Sequence, residues 1–373
     1  MEGELIGCGY GSLLNQIKTR VEHVSRDNTL VRVRKTKRHI GDCESTPNSE
    51  STPNSESTPN SETTASKCSK TDSYGCINWH PLSLPENEIP ESVEEKRKEM
   101  VMLFSQEGPR AAERGQVEEL MKITYASHRY AININPPPSI DELKEQWPFL
   151  FMKRFLCAHF NTLTGIDVNT RLIESLSIKG KKVLNFFESQ IPRWKKDVRT
   201  VLKDIDSAGR GDIDYGVASM ITTMAFFKER EESIFLLADV TATPADVERS
   251  FSVPSTPRLI ALGDSVLLAK KWMLTMEGRV IIQPQELTDF SSALAVLFGC
   301  YYVFNVQYQE EAASTLEFIQ RFILRINPDG TKCQSKSHIS KKSGKRVQRK
   351  SITLNLPVAS LIREIVEFDW QNY

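Results

Sequence analysis

A hexapeptide repeated three times without a single change limits what this chain can fold into. Ser-Thr-Pro-Asn-Ser-Glu occupies positions 45–50, 51–56 and 57–62. A period of six is far shorter than a solenoid unit, and the repeat offers no apolar side chain to bury. With nothing buried, nothing offsets the entropy of ordering the chain, so residues 41–73 are expected to be a disordered linker. The Thr-Pro pairs at Thr46, Thr52 and Thr58 invite a phosphorylation reading, in which phosphates add negative charge beside a basic neighbour. Slippage of a repeat in an unconstrained linker explains them more simply. A short basic segment, 1–40, precedes the linker, and the folded body is expected to begin after it.

The 373 residues suffice for two domains or for one large domain with tails. Hydrophobic residues at 39% and charged residues at 26% allow an ordinary core. Lys plus Arg balances Asp plus Glu at 48 each, so the global charge selects no partner. Its distribution is more telling. Residues 1–40 carry eight Lys/Arg against four Asp/Glu, and residues 331–350 carry eight Lys/Arg and no acid. Two basic segments therefore flank a mildly acidic body. The opening residues, with Glu2 and Glu4 and no cationic region before an apolar stretch, do not read as a secretory signal. Seven cysteines, odd in number and scattered, do not suggest a disulfide framework, and no Asn-x-Ser/Thr site occurs. These features point to a reducing, intracellular setting, nuclear or cytoplasmic. From Phe290 to Gln309 the chain has no charge. The polar ends of that run leave only about 12–14 apolar residues, which suits a buried helix better than a membrane span.

The pattern along the body is mainly helical. Helices are expected at 92–104, 115–132, 168–178, 181–190, 195–205 and 213–228, and an apolar stretch runs from Trp147 to Phe160. In the second helix Val117, Leu120, Met121, Thr124, Tyr125 and His128 recur at steps of three and four. Pro136–Pro138 ends that stretch, and Ser139 with Glu142 has the form of a capping box. Short apolar runs at Ile234–Val240, Pro257–Leu262 and Trp272–Ile282, separated by turn residues, read as two to four strands. Two long helices, about 285–305 and 309–326, follow, and an amphipathic helix carries Val358, Leu361, Ile362, Ile365 and Val366. The expected fold class is mostly α with a minor β element (α+β). It comprises an α-rich domain over 74–330 with strands near 234–282, a basic disordered segment over 331–350 and a C-terminal helix over 351–373.

Candidate chemistry is sparse. Asp204-Ile-Asp206-Ser-Ala-Gly209 resembles the start of a calcium loop, but position five is Ala208 and position twelve is Tyr215, where the bidentate Glu belongs. A polar loop between helices is the better reading. Gly263-Asp-Ser-Val266 is one residue from an esterase signature, yet the only histidine after Ser265 is His338, so a strand-to-helix turn explains it better. Gly7-Cys-Gly-Tyr-Gly11 lacks the preceding strand and third glycine of a phosphate-binding turn. Cys68, Cys76 and His80 lack zinc-site spacing and a fourth ligand. Cys157 and His159 fall on an apolar helix and read as core and edge. No catalytic, cofactor or metal set is expected.

The basic run is the remaining functional signal. Lys332, Lys336, Lys341, Lys342, Lys345, Arg346, Arg349 and Lys350 serve either a nuclear import signal, nucleic-acid phosphate contacts or a solvated loop. Arg32–Arg38 has the same character. No aromatic interleaves with these lysines, so stacking on bases is not expected.

Taken in order, the motifs resemble those of the fish proteins called sterile alpha motif domain-containing protein 3-like. The matching residues are Tyr74–Trp79, the Trp147-Pro-Phe-Leu-Phe151 box, the Leu294–Tyr308 segment and the basic tail ending in Phe368-Asp-Trp370. The resemblance covers roughly 74–373 and brings no active site. Such proteins often carry an N-terminal sterile alpha motif, a small helical self-association module. About 40 residues before the repeat are too few for it, so polymerisation through it is not expected here. Trp147, Phe149 and Phe151, with Phe155 and Phe160, read first as a local core. Their sharper reading is a partner-facing groove. The resulting expectation is a non-catalytic interaction or scaffold protein with protein partners and no membrane span. The alternatives are a nucleic-acid binder acting through the basic segment and an enzyme with an unrecognised site.

Overall fold

The structure, a computed structural model, describes residues 81, 83–209, 211, 213–250, 253–327, 338–339, 346–347 and 355–371. All of them lie in the second of the chain's two units, Ser66–Tyr373. The expectations for 1–40, the repeat linker and the Tyr74–Trp79 motif fall outside the described residues. So do those for most of the basic segment.

Helix α1 (Pro90–Glu107) buries Val93, Met100 and Leu103. The helix expected over 115–132 is two helices, α2 (Gly115–Ile123) and α3 (Tyr125–Asn133). They part at Thr124, whose Oγ1 donates to the Leu120 carbonyl at 2.8 Å, a side-chain bond that competes with the backbone ladder. Apolar periodicity continues across the break, which is why the sequence pattern hides it. Helix α4 (Ile140–Gln146) opens on the expected capping box: Ser139 Oγ accepts from Glu142 N, and the Glu142 carboxylate accepts from Ser139 N at 2.7 Å. Trp147 ends α4, and Pro148–Phe151 forms one 3-10 turn with every residue buried. Helix α5 (Lys153–Thr164) follows and stops at Gly165, whose left-handed φ of 74° suits glycine.

The aromatic box is the hub of the core. Phe149 meets Phe104 of α1 edge-on at 5.3 Å, and Phe151 stacks on Phe304 at 5.0 Å. Trp147, Phe149 and Phe151 are 3%, 0% and 3% exposed. This corrects the partner-facing reading of these three rings: burying them against α1 and the end of a central helix gains more than leaving them in water.

Helix α6 (Val168–Ser175) runs through a π-helical turn (Leu176–Gly180) into α7 (Lys181–Ser189), so the two expected helices are continuous. Helix α8 (Lys196–Ala208) takes Asp204 and Asp206 into its last turns, so the segment read as a loop is helical. Helix α9 (Tyr215–Phe227) is buried along most of its length. The sheet has the order β1 (Phe235–Ala238), β2 (Arg258–Leu262), β3 (Lys271–Met276), β4 (Arg279–Ile282). β1 and β2 are parallel and the other pairs antiparallel. The crossover from β1 to β2 carries α10 (Pro244–Ser250), a helix that the sequence pattern does not reveal. Every residue of β2 is buried because both faces are covered. Leu259 and Ala261 join the main core, while Ile260 and Leu262 meet Val247 of α10.

The uncharged run becomes α11 (Phe290–Val303), buried except at Ser291 and capped by Asp289, which accepts from Ser292 N at 2.8 Å. A Cβ at Gly299 would lie 2.5 Å from Leu156 Cδ2, so glycine lets α11 and α5 come close. Among the described residues no helix is long and apolar enough to cross a membrane. Helix α12 (Ala313–Phe318) ends in a second π-helical turn, Ile319–Ile323. A two-stranded pair, β5 (His338–Ile339) with β6 (Arg346–Val347), precedes α13 (Leu356–Gln371). Helix α13 docks through Val358, Leu361 and Ile365, and Phe368 meets Phe186 of α7 at 5.6 Å. The molecule is thus mostly helical with a minor β element, as the sequence pattern indicates.

Candidate functional site

A cleft of about 260 Å³ opens between α2, α3 and α5. The break at Thr124 shapes it. By ending α2 and restarting the chain as α3, Thr124 lets both helices offer side chains to one hollow: Glu118, Met121 and Lys122 from α2, Tyr125 and His128 from α3. Helix α5 supplies the opposite wall with Arg154, Phe155, Ala158, His159 and Thr162.

Two buried histidines form the floor. His128 and His159 are 0% and 4% exposed, with ring centroids 5.8 Å apart. Thr124 Oγ1 spends its proton on Leu120 O and lies 3.0 Å from His128 Nε2. It therefore accepts from that nitrogen, which assigns the His128 proton to Nε2 and leaves Nδ1 as an acceptor. The Nδ1 of His128 and the Nε2 of His159 have no hydrogen-bond partner among the described residues. The His128 ring sits edge-on to Trp147 at 4.3 Å, and Tyr125 packs on His159 at 4.7 Å.

Both imidazoles are held neutral. Burial, reinforced by the Arg129 guanidinium, pushes His128 down to about 3. His159 is lowered well below its ordinary value by burial, then by Arg129 and His128. Arg129 is itself fully buried and donates to the Val303 carbonyl at 2.7 Å, where the C-terminal end of α11 favours a cation. At the mouth, Glu118 pairs with Lys122 at 3.0 Å and with Arg154. Lys122 first, then Arg154, hold its carboxyl below the usual range. An apolar-walled hollow with neutral polar atoms in its floor and a closed ion-pair triad at its mouth is suited to binding. Neither imidazole has the basicity that proton transfer near neutral pH requires.

The residues singled out by the sequence pattern stand elsewhere. Trp147 touches His128, whereas Phe149 and Phe151 face the core. Lys332, Lys336, Lys341, Lys342, Lys345, Arg349 and Lys350 lie outside the described residues, and of Arg346 the structure describes only its place in β6. Ser265 caps the short turn Val266–Leu268 by accepting from Leu267 N at 3.2 Å, which agrees with the strand-to-helix reading. Cys157 is half-buried, and burial pushes its thiol up to about 12, far from a reactive thiolate. No cluster of potential metal ligands occurs among the described residues. Sequence reasoning missed the cleft as a unit. Its one signal was a histidine on the apolar face of the 115–132 pattern and another on the apolar helix at 159.

Comparison with known proteins adds a similarity over one part of the chain. Residues 93–152 match the model described as sterile alpha motif domain-containing protein 3, helical domain. The match runs from within α1 to the aromatic turn, so it contains the α2–α3 wall and the His128 side of the floor, and leaves α5 outside. No curated protein and no solved structure matches the chain. Residues 93–152, a minor part of the chain, are thus similar to the helical domain of sterile alpha motif domain-containing protein 3.

Proposed function

We propose that this chain is a non-catalytic interaction protein, and that the cleft between α2, α3 and α5 receives an apolar side chain of a protein partner. The observation that carries this reading is the state of the cleft's ionisable groups. The floor imidazoles are neutral and, in the case of His128, lowered to about 3. The carboxylate at the mouth is committed to Lys122 and Arg154. What remains for a partner is the exposed Ala158 and Thr162, the half-buried Tyr125 ring and the edges of the buried Met121 and Phe155. Burying such groups against a complementary side chain is how an interface anchor gains affinity.

Ala158 supplies the test because it is exposed and lines the cleft. Ala158→Trp fills the hollow without disturbing the core. Tagged wild-type and Ala158→Trp chains are recovered from cells, with half of each lysate treated with nuclease. Partners that survive nuclease and disappear with Ala158→Trp support the reading. Retention of every nuclease-resistant partner by the variant overturns it.

A further inference from the structure

Arg258 opens β2 with only 6% of its surface exposed. Its Nε donates to Glu232 O at 3.1 Å, and its Nη1 donates to Pro257 O at 3.0 Å and to Thr256 Oγ1 at 2.6 Å. All three acceptors are neutral. Among the described residues Arg258 has no ion-pair partner, and its Nη2 has no hydrogen-bond partner. Arg321, similarly buried, has Glu317 against it. Burial, the first cause, lowers the Arg258 guanidinium below its ordinary value, and the Glu311 carboxylate acts on it only from beyond ion-pair distance. A buried cation ordinarily has an anion beside it, because neutral hydrogen bonds alone do not offset its desolvation. Nη2 is not among the polar atoms sealed from solvent, so an anion can reach it.

The hydroxyl that Nη1 holds belongs to a phosphate-acceptor motif. Thr256-Pro257 lies in the loop between α10 and β2, where Ser255 is exposed and Thr256 half-buried. The chain has five Thr-Pro pairs and no Ser-Pro, and Ser255-Thr-Pro257 repeats the tripeptide of positions 45–47, 51–53 and 57–59. Thr243, in another Thr-Pro pair, faces an acid: its Oγ1 donates to Asp246 Oδ2 at 2.6 Å. A phosphate on Thr243 would meet like charge. On Thr256 it would meet an unpaired guanidinium, whose fork of N–H groups fits two phosphate oxygens at once.

We propose that Thr256 is a phosphorylation site for a proline-directed protein kinase, and that Arg258 holds the phosphate. The Thr256 oxygen bonds to the γ-phosphorus of ATP while the bond to the ADP oxygen breaks, and the hydroxyl proton passes to the kinase's base. The added charge then anchors the loop on β2. The full chain is treated with ATP and a proline-directed kinase, and the modified threonines are located by mass spectrometry. The phosphorus NMR resonance that Thr256→Val lacks is then titrated with acid. A phosphothreonine in water takes up its second proton near pH 6, roughly, and the guanidinium is expected to lower that midpoint by about one unit. Unfolding the same sample in urea is expected to return it to about 6, a comparison that needs no variant at Arg258. Arg258→Lys keeps the charge without the fork and is expected to show a smaller shift. A midpoint that is the same in the folded and the urea-unfolded chain overturns the proposal. So does a Thr256 left unmodified while other Thr-Pro pairs of the same chain are phosphorylated.

Discussion

At the scale of single residues, the core is demanding because it buries charge. Glu317 and Arg321 of the α12 segment pair at 2.7 Å with side chains only 1% and 7% exposed. Removing one partner leaves the other's charge poorly compensated in a medium of low dielectric. Glu317→Ala is expected to cost about 3–5 kcal/mol in urea unfolding, whereas replacing both residues with apolar ones of similar size costs far less. The floor histidines bring a pH dependence of definite sign. Their folded values lie below the ordinary 6.5, so the unfolded chain takes up protons first as pH falls. Their stabilising share is complete above pH 6.5 and drains as the solution is acidified toward the folded value, near 3 for His128. Each imidazole accounts for about 1.4 kcal/mol per pH unit in that window. The urea midpoint is expected to drop between pH 7 and pH 5, and His128→Leu to flatten part of the drop. Of these residues the sequence showed only that His128 shares the apolar face of its helix and that His159 falls on another apolar helix. Glu118 and Arg154, separated by 36 positions, carry no pattern that announces their pairing.

The elements themselves were legible wherever periodicity and caps coincide. Ser139 and Glu142 opened α4 as expected, and the uncharged run became the buried helix α11. Its N-terminus proved later than the apolar pattern suggested because Asp289 sets it. Asp289→Ala removes acceptors for Ser292 N and Ser292 Oγ, and is expected to lower stability by about 1 kcal/mol in thermal unfolding. The features that escaped are those that leave the helical period intact. The break at Thr124 depends on where one hydroxyl points, and the two π-helical turns insert a residue without altering apolar spacing in a readable way. Helix α10 escaped for another reason. Seven residues starting at the proline of a Thr-Pro pair are too short for a periodic signal, and Val247 is the helix's buried apolar contact with the sheet's second face.

At the scale of the molecule, fold class follows from pattern while the cleft does not. Helices with apolar faces and a few short strands must pack as an α-rich body. That α2, α3 and α5 leave a hollow between them depends on how three separate elements meet, which no local pattern encodes. The family match reaches one wall of that hollow and stops before the other. A cleft that binds and does not catalyse must hold imidazoles that carry no proton to exchange near neutrality. The most direct test is a titration of the six histidines by NMR, with His128→Leu and His159→Leu to assign the two signals. The His128 and His159 resonances are expected to hold constant from pH 7 down to pH 5. A midpoint near 6.5 for either would contradict a purely binding role, and would give the cleft a working general base.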